Sequence, residues 1–450
     1  MGKFLIHSQF VANHKPAIPR LMINREDYCV KCGKCTSVCI FEVHKRSQAD
    51  PRKMADPDME KCKFCFTCVQ SCPKEALSIF PNPEYQKLGD QLFTPEIITT
   101  LIKEGQTGET PISGGGYGGK FTGEGFDGFW TDMSEIVRPT RDGIHAREYI
   151  STLVELGRKP ADLTGWQVDT KGNPLSHIAP SREINLPMVF DLTRMPLKSE
   201  SIIKAVVNCA SQLNTLVLIE LKDLKPELEI FSPYMVISLD PRKLSWGELV
   251  DIAKNQGILE LLYSPELTKL AESLKNINPE LIVMVRAENP KNPQELAGEI
   301  YSGGADVIHF RFDHELPEKI RAAHLGLVEA KIRDRASLLI SGNLAEAAHI
   351  PKSIILGADA LALDWPLLVA MECLVCKKCL SGEPCPRQLE TINPEWGAAR
   401  IKNLMASWHN QMLEILGAMG IREVSRLRGE VGRAIFYSDL EREFSNEFKR

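Results

Sequence analysis

The 450-residue sequence has no excess of positive charge: 54 Lys and Arg stand against 59 Asp and Glu, a formal net charge of -5. A nucleic-acid coat or a basic membrane-binding surface needs the opposite balance, so neither is expected. Long hydrophobic runs are also missing. The most apolar stretch, Ile354 to Met371, is broken by Asp359 and Asp364 and contains Pro366, which makes it a poor membrane span. The opening MGKFLIHSQF lacks the apolar core and small-residue cleavage site of a secretory signal. The expectation is a cytoplasmic protein without a membrane span. With 43% hydrophobic and 25% charged residues, composition is that of ordinary globular domains, and the length suits two or three of them.

What the sequence has is cysteine, unevenly spread. There are 13, and all but Cys209 fall in three tight runs. Disulfide frameworks belong to small secreted domains, and this chain is expected to be neither small nor secreted, so metal is the better reading. Cys209 sits in the apolar stretch AVVNCASQL, where a buried structural thiol is expected.

The first run holds Cys29, Cys32, Cys35 and Cys39; the second holds Cys62, Cys65, Cys68 and Cys72, followed by Pro73. Both read C-x2-C-x2-C-x3-C, the bacterial ferredoxin pattern. Three thiolates on a tight loop wrap three corners of an iron–sulfur cube, and the fourth cysteine ligates the other cube. This assigns Cys29, Cys32, Cys35 and Cys72 to one 4Fe–4S cluster and Cys62, Cys65, Cys68 and Cys39 to the other. Ile40 follows the first run where the pattern has proline. Structural zinc is the alternative, but it uses two separated C-x2-C pairs more often than four cysteines in eleven residues. The chemistry expected of paired cubes is one-electron transfer.

Beyond Pro81 the pattern changes. Ser113 to Gly125 (SGGGYGGKFTGEG) is glycine-rich, but no strand precedes it and no helix follows, so a connector is expected rather than a phosphate loop. From Leu186 onward, short apolar β-rich runs alternate with helical stretches. The strand candidates are Pro187–Leu192, Thr215–Leu221, Tyr234–Asp240, Leu259–Ser264, Leu281–Arg286, Asp306–Phe312, Ser337–Gly342 and Asp359–Trp365. Continuous apolar runs suit parallel strands covered on both faces. The crossovers between them read as helices over Glu200–Leu213, Lys243–Gln256, Pro265–Asn276, Pro293–Gly303, Leu316–Ile332 and, in the seventh crossover, Leu344–Ile355, whereas the second, Lys222–Pro233, is short and less helical. Eight such units predict an α/β fold, a TIM (β/α)8 barrel, ahead of a doubly wound sheet. Function in such barrels sits at the C-terminal strand ends, which here carry Asp191, Glu220, Asp240, Arg286, Arg311, Asp313, Ser341 and Asp364. Two arginines among five carboxylates suit a salt-bridged rim as readily as an active site.

The third run, Cys373, Cys376, Cys379 and Cys385, follows the last strand and ends in Cys385-Pro386. It reads as another iron–sulfur cube, with zinc the alternative because C-x2-C pairs also suit it. The stretch Leu338 to Pro386, the segment FDGFWTDMSEIVRPTRDGIHAREYISTLVELGRKP before the barrel and the tail Arg400–Gly429 together resemble the FMN-binding domain of glutamate synthase. With a ferredoxin module in front, the chain is similar to the short archaeal-type glutamate synthases and related redox proteins.

That resemblance implies a flavin on the strand ends, and the departures from the family pattern bear on it directly. Where the family has Ser-Gly-Gly to hold the FMN phosphate, this chain has Ser341, Gly342 and Asn343, the residual cofactor-binding candidates. After the last strand it places Asp364, Trp365 and Pro366 in place of small residues. A carboxylate beside a phosphate costs roughly 1–4 kcal/mol, and proline removes an amide donor. Asp191 to Lys198 replaces the family's flavin loop, and His309 to His314 stands where the family has His-Asp-Gly-Gly. No counterpart of the 2-oxoglutarate segment or of a leading glutaminase is present in the sequence. The implied organisation is a two-cluster ferredoxin domain over 1–85, a connector and capping segment over 86–185, the barrel over 186–370, a third cluster motif over 371–390 and C-terminal helices over 391–450. The implied function is an electron-transfer subunit with three 4Fe–4S clusters on a degenerate barrel. Its expected partners are redox subunits of a larger complex, whether flavoprotein, heterodisulfide-reductase-like or NAD(P)H-oxidising. The alternative is an FMN-dependent enzyme in which Arg286 and Arg311 bind a substrate carboxylate, unless both simply pair with Asp313 or Asp364.

Overall fold

The computed structural model describes residues 4–59, 61–111, 125–132, 150–158, 170–172, 180–264 and 266–447. The glycine-rich stretch up to residue 124, and much of the segment before the barrel, lie outside them. No helix among the described residues is long and apolar enough to cross a membrane. The chain divides into two units. One comprises Ala12–Thr99 with Leu374–Cys376, and the other Met1–Val11, Thr100–Cys373 and Lys377–Arg450.

In the smaller unit, β1 (Leu21–Arg25) and β2 (Leu77–Pro81) pair antiparallel, with Leu21 opposite Pro81 and Arg25 opposite Leu77. Two short helices, Lys34–Val38 and Thr67–Gln70, lie between these strands in sequence. The core is small: Ile23, Val43, Cys68 and Leu77, with Cys35, Cys39, Cys62 and Cys72 against it. So little apolar surface stabilises a fold weakly, and metal binding to the thiolates would add folding free energy directly.

In the larger unit, β3 (Phe129–Thr131) pairs antiparallel with Ala434–Phe436. A second short ribbon pairs β4 (Val154–Gly157) with β5 (Ser181–Ile184). Eight parallel strands follow: β6 (Met188–Asp191), β7 (Val217–Glu220), β8 (Met235–Leu239), β9 (Ile258–Leu262), β10 (Ile282–Glu288), β11 (Val307–Phe312), β12 (Ser337–Gly342) and β13 (Ala360–Leu363). They close into a barrel in chain order, β13 pairing back onto β6. The predicted strands are all present. Consecutive residues such as Val217, Leu218 and Ile219 are buried because one face meets the lumen and the other the helix layer.

The crossovers carry their own stop and start signals. The helix Glu200–Leu213 begins where the Ser199 side chain accepts the Ile202 amide and ends at left-handed Asn214. The second crossover is two 3-10 segments, Leu221–Asp223 and Pro226–Tyr234, the longer with Pro233 inside it. The seventh helix is shorter than its sequence pattern, His349–Leu356. Its expected first turn is a loop fixed by the His349 ring, whose Nδ1 accepts the Ala345 amide at 3.1 Å. The β4–β5 ribbon covers the N-terminal end of the barrel, the Gly157 amide donating to Ser337 Oγ at 3.1 Å at the start of β12. A 25-residue helix, Pro394–Ala418, follows the third cysteine run and packs along Glu200–Leu213.

Candidate metal centres and the barrel mouth

The three cysteine runs share a backbone. In each, the residue before and the residue after the central cysteine have positive φ: Lys31 at 57° and Gly33 at 79°, Phe64 at 53° and Phe66 at 61°, Val375 at 53° and Lys377 at 59°. The third cysteine of each run is then the second residue of a helical turn, starting at Lys34, Thr67 and Lys378. Five of these six residues are not glycine, and Val375 is β-branched. The left-handed region costs an L-residue about 1–2 kcal/mol, and it is a true outlier for a β-branched one. Strain of this kind persists where surrounding structure or a bound group over-determines it. The same turn thus recurs about the central cysteine of all three runs. The central cysteines Cys32, Cys65 and Cys376 are exposed, whereas Cys68 and Cys373 are buried.

In the smaller unit, the fourth cysteine of the first run joins the second run. Cys39 lines one cavity with Cys62, Cys65 and Cys68, amid Ile23, Phe41 and other apolar groups. Burial pushes the Cys62 thiol up, and neighbouring Cys39 adds to this against the Phe64 amide. Burial likewise raises Cys68 and Cys35, the latter with Cys29 as a neighbour. Exposed Cys65 is instead lowered by hydrogen bonds from Thr67. Backbone amides already aim at sulfur: Phe64 N–H at Cys62 Sγ, 3.4 Å, and Ala76 N–H at Cys72 Sγ, 3.3 Å. Among the described residues, no three His, Cys, Asp or Glu side chains converge on a single ion. Cys209 is fully buried in its helix, and burial pushes its thiol up strongly; it lies outside the runs.

At the other candidate site, the C-terminal ends of the barrel strands, a polar network fills the lumen. Glu260 on β9 and His309 on β11 are fully buried, with Oε1 to Nδ1 at 2.6 Å. Because β10 separates their strands, this contact crosses the interior. His309 Nε2 meets Ser341 Oγ at 2.8 Å, and Ser238 Oγ donates to Glu260 Oε2 at 2.5 Å. Arg286 reaches the same carboxylate at 3.4 Å and donates to Thr193 Oγ1 at 2.6 Å, beside Asp191. Burial pushes the Glu260 carboxyl up, but Arg286 and His309 outweigh it and hold it at about 2. Glu288 pairs with both Arg286 and Arg194. Arg311 lies 3.1 Å from Asp313 and 3.6 Å from Asp364. The rim of ion pairs is therefore real. Arg311 takes the two partners expected of it, and Arg286 is engaged by Glu260, which the sequence reading did not single out. A lone charge at the centre of the strand ILELL was the available signal. Beside this rim opens a cleft of about 610 Å3, reached by Arg242, Tyr263, Arg286 and Lys291. Arg242 is tied to Asp240 and Tyr263 to Glu299.

Of the residual flavin-phosphate candidates, Ser341 and Asn343 have their side chains engaged within the protein. Ser341 is held by His309, and Asn343 donates its amide to the Asp313 carbonyl at 2.5 Å. Gly342 has φ 141°, and a Cβ there would stand 1.9 Å from the Phe312 carbonyl oxygen, so glycine is required by close approach. Just past the neighbouring strand β13, Asp364 Oδ1 accepts the Trp365 amide at 2.6 Å, and Pro366 follows without a donor. The protein's own carboxylate thus takes the Trp365 amide at this corner.

Asp364 supplies a prediction. Burial and Asp191 push its carboxyl up to about 6, against the Trp365 amide and Arg311. An acid with a raised folded-state pKa contributes stability that is complete below its unfolded value and lost as pH rises through the folded one. Wild-type protein should therefore lose about 1–3 kcal/mol of stability between pH 4 and pH 7 from this group. Asp364→Asn keeps the cap and should flatten that slope, read as denaturation midpoints across the range. An unchanged slope would sink the assignment.

Barrel and cysteine runs together are similar to a glutamate synthase-like barrel joined to a 4Fe–4S dicluster ferredoxin domain. Residues 317–422 match the conserved region in glutamate synthase, and residues 21–73 match the 4Fe-4S dicluster domain. An archaeal-type glutamate synthase (NADPH) of Dehalococcoides mccartyi is 26% identical, covering 90% of this chain and 92% of its own. An archaeal glutamate synthase (NADPH) of Archaeoglobus fulgidus is 27% identical, covering 92% and 94%. That of Methanocaldococcus jannaschii is 24% identical over 90% and 92%.

Proposed function

We propose that this chain is the iron–sulfur electron-transfer subunit of a redox complex, carrying three 4Fe–4S clusters on a glutamate synthase-like barrel whose own catalytic pocket is lost. One cluster would be held by Cys29, Cys32, Cys35 and Cys72, the second by Cys62, Cys65, Cys68 and Cys39, and the third by Cys373, Cys376, Cys379 and Cys385. When bound, such clusters supply one-electron transfer at potentials set by charge, hydrogen bonds and exposure. The chain's residues would tune them through the amides of Phe64 and Ala76. The observation that carries the reading is the repeated left-handed pair about Cys32, Cys65 and Cys376. The third run has the local backbone of the two runs inside the dicluster match, although its fourth cysteine is spaced differently.

The barrel mouth supports the second half of the reading. Its arginines are engaged by Glu260, Glu288, Asp313 and Asp364, and its phosphate corner carries a carboxylate. The relatives are named for NADPH, so an NADPH-oxidising flavoprotein is the partner that this chemistry suits, in the cytoplasm. Anaerobically purified protein should yield about twelve irons per chain and no flavin on acid extraction. About eight irons would remove the third cluster. One FMN per chain would replace this reading with a flavin-dependent glutamate synthase.

A further inference from the structure

His44 follows Cys39 in the smaller unit and is 1% exposed. Its ring lines the same cavity as Cys39, Cys62, Cys65 and Cys68. One nitrogen is accounted for, since Arg25 Nη2 lies 3.4 Å from Nδ1. A guanidinium donates and never accepts, so Nδ1 takes that hydrogen bond and the ring proton resides on Nε2. Nε2 is buried and has no hydrogen-bond partner within the protein. Native interiors rarely leave a buried N–H without an acceptor, and each exception calls for a group that completes it. Four cysteine sulfurs, those of Cys39, Cys62, Cys65 and Cys68, line this cavity beside the ring, among apolar Ile23, Phe41, Val43, Phe64, Phe66 and Ile79, with Lys63 and Thr67 as the other polar residues of the lining. A cluster held by those sulfurs brings the acceptor that Nε2 lacks.

We infer that His44 donates its Nε2–H to a sulfur of the cluster that Cys39, Cys62, Cys65 and Cys68 would hold, and so raises that cluster's reduction potential above what the cysteines alone would set. The inference rests on the reading that this quartet holds a 4Fe–4S cluster. Reduction adds negative charge to the cluster, and a fixed donor stabilises the reduced form more than the oxidised one. Arg25 is the positioning group, because it selects the tautomer.

The test uses the full chain, purified anaerobically, with iron counted on every sample. His44→Phe keeps the ring's bulk and removes the donor. One cluster should become harder to reduce by about tenfold, about 59 mV for one electron, while the other potentials stay in place. Wild-type protein labelled with 15N-histidine should show a histidine nitrogen coupled to one reduced cluster in pulsed EPR, absent from the variant. Should the variant lose its cluster, the wild-type spectrum still decides. A fully loaded wild-type protein without any histidine coupling, or a loaded variant with unchanged potentials, overturns the inference. If irons are missing from the Cys39 quartet in the wild type, the cluster assignment itself fails instead.

Discussion

Arg400→Met should destabilise the larger unit by about 3–5 kcal/mol, the cost of breaking a buried ion pair by removing one partner. Arg400 and Glu372 are fully buried, with Nη1 3.6 Å from Oε1. Arg387 pairs with the other carboxylate oxygen. Arg400 also donates to three carbonyls: Ala370 at 2.6 Å, Ile102 at 2.6 Å and Val11 at 3.4 Å. Burial lowers its pKa to about 10 against the pull of Glu372, so it remains charged at neutral pH. Methionine fills similar volume but leaves the Glu372 carboxylate with one guanidinium fewer and removes the donor that three carbonyls share. Denaturant midpoints of Arg400→Met, Glu372→Leu and the double variant give the coupling. The double variant should be less destabilised than the sum of the singles. Strict additivity would mean that the pair acts as two independent groups.

The second large effect is the loss of a whole cluster. Cys39→Ser should cost about four of the roughly twelve irons. The informative experiment is the pair of double variants. If Cys39 serves the cluster of Cys62, Cys65 and Cys68, then Cys39→Ser with Cys62→Ser loses the same four irons as either alone. Cys39→Ser with Cys29→Ser then loses about eight. Uncrossed ligation gives the reverse, and the cavity that Cys39 shares with the second run favours the crossed result.

Much of this architecture is legible in the chain. The barrel strands were visible because parallel strands buried on both faces give short apolar runs, as in Leu216–Ile219, repeated eight times between crossovers. The cysteine runs stand out because their spacing is the one that cluster ligation asks for. The parts that escaped did so for different reasons. Glu260 was not singled out, and its link to His309 and on to Ser341 spans 49 and 32 residues of sequence, which only the folded barrel brings together. The left-handed residues escaped because Val375 and Phe66 have the wrong propensity for that conformation, so local chemistry argued against what the site demands. His44 carries no spacing signal at all; its meaning lies in an atom left without a partner. The early start expected for the seventh helix failed because apolar periodicity from Leu344 also suits a loop pinned by the buried His349 ring.

The exposed central cysteine of each run has a cost that follows from its use. Electron transfer falls steeply with distance, so a corner at the surface is where a partner's cofactor can come close. The same corner is where molecular oxygen and peroxide arrive first. With clusters bound as proposed, exposed Cys32, Cys65 and Cys376 would make each centre both a contact and a weak point. A protein loaded in this way would trade durability in air for rapid exchange with its neighbours.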